Sequence, residues 1–279
     1  MRKLVIPFAA AAFAFASANA QTTTLVEDTF SGLAATTLNG ATPDTVGSGT
    51  WKTSPQKFYA DGTVDVNDSY NSGAVYAFTP TPGSIYTLTA SYSVTTDSAE
   101  WIGVGFAFDE NWNDIGSNNR NRFVSAPTGT GTGNVLSGSA WAIGSGSSTA
   151  PTYSVFAGPG TANILVNQAA SPATTYTWVI EMDMSGVDTV VTWTLNGTEV
   201  ATNTYVGGAG IDVNCAGFAS DNNAGGILNS FKLEVFEPDF DLITTNPVDD
   251  AVDVPASENL AAVFNADIQA GTSGNITLH

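Results

Sequence analysis

Two carboxylates at alternate positions, Glu181 and Asp183, are the residues of this chain best spaced for acid–base chemistry. They interleave with an alternating apolar series, Tyr176-Trp178-Ile180-Met182-Met184. A strand's period of two then puts Glu181, Asp183 and Ser185 on one face. Hydrolysis of a glycosidic bond needs two carboxyl groups flanking it, one of them carrying a proton. Ser185, next on that face, does not donate a proton near neutral pH. The sole histidine is His279 and the sole cysteine is Cys215. Nucleophilic triads and zinc centres therefore lack their side chains. The expectation is a chain that is not an enzyme.

Calcium is the one cofactor the residue types allow, because it is held by oxygen alone. Asp28 is a candidate ligand. So are Asp61 and Asp65, in a run that offers alternate oxygens without matching an EF-hand loop. Sugar binding uses aromatic planes beside amides or carboxylates. Trp112 lies in the polar segment Glu110-Asn111-Trp112-Asn113-Asp114, so Trp112, Asn113 and Asp114 form the leading candidate site. Trp101 shares its strand face with Gly103, Gly105 and Ala107, which reads as the lining of a groove. Trp141, between two Gly/Ser-rich loops, is a third candidate. Trp178 and Trp193 lie on apolar strand faces and are expected in the core.

The elements that carry these residues are strands. Alternation is clear in Tyr86-Leu88-Ala90-Tyr92-Val94 and in Ile102-Val104-Phe106-Phe108. Thr189 to Tyr205 reads as a hairpin closed by Asn196-Gly197, which tolerates the positive φ angles of a type I′ turn. Phe231 to Phe236 closes the segment. Cys215 cannot form an intrachain disulfide and is expected to be a small buried hydrophobe.

At the start, Arg2 and Lys3 precede an apolar run, Leu4 to Phe15, and Ala18-Asn19-Ala20 supplies small residues for a peptidase. This is the pattern of a secretory signal peptide cleaved between Ala20 and Gln21, too short to anchor in a bilayer. Formal net charge is −19. Nucleic acid and anionic lipid would repel such a chain, so neither a nucleic-acid partner nor membrane insertion of the mature chain is expected.

The order of Glu27-Asp28-Thr29-Phe30-Ser31-Gly32, Leu38-Asn39-Gly40, Thr42-Pro43-Asp44, Gly49-Thr50-Trp51, Gly103-Val104-Gly105-Phe106 and the closing strand resembles the concanavalin A-like (LamG-like) jelly roll of bacterial extracellular proteins. That resemblance implies an all-β fold, a two-sheet jelly-roll sandwich often used for glycan or surface-protein binding. Within the same fold, the Glu181 strand is similar to that of laminarinase-type hydrolases, without their second glutamate. Further on, Asn246-Pro247, Val254-Pro255, Leu260 to Phe264 and Ile276-Thr277-Leu278 resemble the opening of a bacterial SbsA-like Ig-like domain, which implies a spacer.

The expected organisation is a signal peptide at 1–20, a jelly-roll domain at 21–237, a linker at 238–243 and the first part of an Ig-like β-sandwich at 244–279, truncated at its end. The expected function is that of a secreted or cell-surface, non-catalytic binding or adhesion module for glycans. Two other readings stay open. One is an ancillary polysaccharide-targeting module of a larger extracellular enzyme; the other is a purely structural surface protein.

Overall fold

The computed structural model describes residues 21–31, 36–53, 59–60, 64–65, 72–94, 101–109, 136–145, 152–158, 164–169, 175–220, 226–238, 242–246 and 261–264. In chain order the first strands are β1 (Gln21–Asp28), β2 (Thr36–Thr37), β3 (Lys52–Thr53), β4 (Tyr59–Ala60), β5 (Val64–Asp65) and β6 (Ser72–Ala77). There follow β7 (Ile85–Val94), β8 (Trp101–Asp109), β9 (Leu136–Ser145), β10 (Thr152–Phe156) and β11 (Ile164–Ala169). The remaining strands of this body are β12 (Thr175–Asp183), β13 (Thr189–Leu195), β14 (Thr198–Tyr205), β15 (Cys215–Ser220) and β16 (Gly226–Glu237).

They make two antiparallel sheets. The nine-stranded sheet runs β14-β13-β12-β7-β16-β5-β4-β2, with β1 also paired to β16. The seven-stranded sheet runs β11-β10-β9-β8-β15-β6-β3. The fold class is therefore all-β, a two-sheet sandwich of the jelly-roll kind. The chain divides into two compact units, Gln21–Glu237 and one that includes Pro238–His279. In the latter, β17 (Leu242–Asn246) pairs antiparallel with β18 (Ala261–Phe264). The strand expected at Ile276 to Leu278 lies outside the described residues.

Alternation decides which side chains enter the core. Tyr86, Leu88, Ala90 and Tyr92 of β7 are buried, as are Tyr176, Trp178, Ile180 and Met182 of β12. Thr87, Thr89, Ser91 and Ser93 take the other face. The turn between β13 and β14 has φ of 49° at Asn196 and 81° at Gly197, as the Asn-Gly pair requires.

Trp51 sits where the two sheets meet the N-terminal strand. Its ring makes edge contacts with Phe231 of the nine-stranded sheet at 5.1 Å and Phe218 of the seven-stranded sheet at 5.5 Å. Its indole Nε1–H donates to Asp28 Oδ2 at 2.7 Å, and the Phe30 backbone N–H donates to Asp28 Oδ1 at 2.7 Å. A second carboxylate, Asp44, accepts from the backbone N–H groups of Thr29 and Ser31 and from the hydroxyls of Thr29, Ser31 and Thr45. Asp28 and Asp44 thus tie β1 to the loop that carries Trp51.

Candidate ligand-binding face

The outer faces of the two sheets differ, and the candidate site belongs to the seven-stranded one. In the centre of that sheet both faces are buried. Ile102, Val104 and Phe106 of β8 face the nine-stranded sheet, while Ala107 belongs to a second apolar cluster with Val75, Trp141, Phe156, Cys215 and Ala219. Trp141 of β9 and Phe156 of β10 are cross-strand partners, stacked at 4.0 Å with their planes 10° apart. The Trp141 indole N–H donates to the Gly158 carbonyl at 3.0 Å.

This arrangement corrects the groove expected along Trp101, Gly103, Gly105 and Ala107. Gly105 is small to admit its neighbour strand, not a ligand. A Cβ there would lie 2.4 Å from Trp141 Cβ and 2.6 Å from Trp141 Cα. Trp141 is itself fully buried, so it has no open ring face for a sugar. Trp101 is different. It is half-buried at the start of β8, 6.0 Å from Trp141 between ring centroids, with the planes tilted by 52°. Ile143, also half-buried, packs on the same cluster. The spacing of two between Trp141 and Ile143 is the sequence signal that puts Ile143 on Trp141's face.

The face carries little charge. Strands β6, β9, β10 and β15 contain no charged residue, and β8 has only Asp109, its last. Such a face offers no proton transfer, and Trp101 at its margin keeps part of its ring accessible. Among the described residues, no three His, Cys, Asp or Glu side chains come together to hold a metal.

The remaining candidates are scattered. Trp112, Asn113, Asp114 and Asp61 lie outside the described residues, as does Ala20; Gln21 is the first residue of β1. Asp65 lies in β5, opposite Ile227. The calcium role expected for Asp28 does not fit its position. Asp28 is fully buried and each of its oxygens accepts a protein hydrogen bond. Burial pushes its carboxyl up to about 6, only partly offset by the Phe30 and Trp51 donors. At Asp44 burial also opposes ionisation. The Thr29, Ser31 and Thr45 donors outweigh it and hold the carboxyl well below the usual range.

Glu181 and Asp183 lie on the nine-stranded sheet, on the face that Ile180 and Met182 leave. Glu181 is exposed between Thr87 and Thr192. Asp183 Oδ1 accepts the backbone N–H of Ser185 at 2.8 Å and its hydroxyl at 2.6 Å. The alternation holds, but Asp183 is committed to a turn at the end of β12.

No family model and no curated protein matches this chain in sequence. Solved structures match it in outline. The endo-1,3-beta-glucanase from Streptomyces sioyaensis has a TM-score of 0.47 at 11% identity, over 78% of this chain and 97% of that one. The Emp47p carbohydrate recognition domain has a TM-score of 0.44 at 13% identity, over 72% of this chain and 92% of that one. A Lotus tetragonolobus seed lectin has a TM-score of 0.42 at 12% identity, over 69% of this chain and 95% of that one. Likenesses of this size carry no argument about what this chain binds.

Proposed function

We propose that this chain is an exported, non-catalytic module that binds a glycan through aromatic stacking on the outer side of the seven-stranded sheet. The observation that carries the proposal is Trp101, a half-buried ring fixed on a strand and backed by Trp141, at the margin of a nearly charge-free face. A sugar's apolar face pairs with such a ring without any need for charge. Trp112 belongs to the same proposal on its polar sequence neighbourhood. Export rests on the leader pattern ahead of Gln21. The spacer role of 244–279 rests on its sequence resemblance, and the antiparallel pairing of β17 with β18 is compatible with it.

The test is retention of the purified chain on immobilised β-glucan, xylan and chitin, with release of reducing ends followed in the same samples. Retention on at least one polysaccharide, weakened about fivefold by Trp101→Ala or Trp112→Ala and without sugar release, is expected; loss of one stacked ring is worth about 1 kcal/mol. Sugar release that disappears in Glu181→Gln would replace binding by catalysis. Absence of retention on every polysaccharide would remove the glycan.

A further inference from the structure

We infer that β11 is the docking edge for a second copy of this chain. A sheet edge presents unpaired backbone groups, and soluble proteins blunt such edges with short strands, charges or proline. Among the described residues of the sandwich, the other edges follow that rule: β1, paired only to β16, carries Glu27 and Asp28. Strands β2 and β3 have two residues each, and β3 includes Lys52. Strand β14 carries Glu199. Edge strand β11 is different: it is six residues long and reads Ile-Leu-Val-Asn-Gln-Ala, without charge or proline. It is paired only to β10 among the described residues, in regular register from Val166 to Ala169. It also lies near β14 of the other sheet.

Strand β11 buries little of itself. Five of its six residues are exposed, and Ile164 and Leu165 are each 42% accessible. A strand open on both faces gains little from packing within its own sheet, so its apolar pair is better satisfied by a partner.

Charge selects the partner. The chain carries a formal net charge of −19, yet not one residue from Phe123 to Ile180 is charged. That stretch supplies β9, β10, β11 and the start of β12. Two copies of a strongly acidic chain repel each other except where both are neutral, and here each copy presents the same neutral edge. Antiparallel pairing of β11 with its own copy is self-complementary and closes as a two-fold dimer. The interface is a single short edge, so the dimer is weak, at the low end of interface sizes.

Sedimentation equilibrium of the full chain from about 10 µM to 1 mM covers the range expected for such a contact. A monomer–dimer equilibrium is expected, shifted toward dimer by added salt as the repulsion is screened. Leu165→Lys places like charges on both copies and raises the dissociation constant at least about tenfold. Val187→Lys, at an exposed apolar residue outside β11, leaves it unchanged. Circular dichroism confirms the folded state, and Gln168→Lys replaces Leu165→Lys if that variant does not fold. A monomer at every concentration would overturn the inference. So would species larger than a dimer, or a dimer indifferent to both β11 substitutions.

Discussion

The two sheets share one core but have opposite outer faces. On the nine-stranded sheet the outer face is mostly polar: Thr87, Thr89 and Ser91 of β7 stand beside Glu181, Val179 and Thr177 of β12. On the seven-stranded sheet the outer face is apolar at its centre, where Trp141 and Phe156 stack and are themselves buried. The first sheet is an ordinary amphipathic one, wet on one side. The second is buried on both sides at its centre, and its strands accordingly lack the polar alternation of the first. The lesson is that small residues between aromatic ones can mark a second packed layer as readily as an open groove.

The largest effect that would break this comparison is at the stacked pair. Trp141→Ala should cost about 3–5 kcal/mol by chemical denaturation, as for other buried aromatic truncations. Thr89→Val on the opposite sheet should stay within about 0.5 kcal/mol. Equal costs would mean that the outer cluster contributes nothing.

Gly105→Ala comes next. Its methyl would have to displace backbone of the neighbouring strand, so a loss of about 1–3 kcal/mol is expected. A stability equal to wild type would mean that the strands are looser than this packing requires.

The pH dependence sharpens the contrast between the two carboxylates at Trp51. Asp28 binds its proton more tightly in the folded state than its ordinary value of 3.8, with a folded value of about 6. Its contribution is most favourable below about 4 and is lost as pH rises through 6. Asp44 has the opposite sign: its contribution is present above its ordinary value and falls away as pH drops below it. Thermal midpoints across pH 3 to 8 should therefore fall between pH 4 and 6, and Asp28→Asn should flatten that limb. An unchanged slope in Asp28→Asn would assign it to another group.

The smallest effect concerns Trp193, whose buried indole N–H has no hydrogen-bond partner among the described residues. Trp193→Phe removes that cost along with some volume, so the net change should lie within about 1 kcal/mol. A loss as large as that of Trp141→Ala would point to a partner for the N–H, such as a buried water.

Much of the fold could be read from spacing alone. The alternation of β7 and β12, the Asn196-Gly197 turn, the buried Trp178 and Trp193, and Cys215 as a small buried residue all follow from local pattern. The site was less legible. Spacing reveals that Trp101, Gly103 and Gly105 share a face, but not that Trp141 of another strand covers it. Asp28 looked like a cation ligand because its partner, the Trp51 indole, is distant in sequence. The order of the segments with Asp28, Asp44 and Trp51 is visible in sequence, but not that Asp28 accepts from the Trp51 indole while Asp44 accepts from the backbone of Thr29 and Ser31.

The most direct measurement of the binding proposal uses the tryptophans themselves. Each of the six gives one indole N–H resonance in a nitrogen-15 correlation spectrum. Trp51, Trp141, Trp178 and Trp193 are fully buried, whereas Trp101 is not. Titration with soluble β-glucan, xylan and chitin fragments should move the Trp101 resonance with at least one of them and leave the four buried resonances in place. A spectrum in which Trp101 does not move with any fragment, or in which the buried resonances move and Trp101 does not, would contradict a glycan site on the outer side of the seven-stranded sheet.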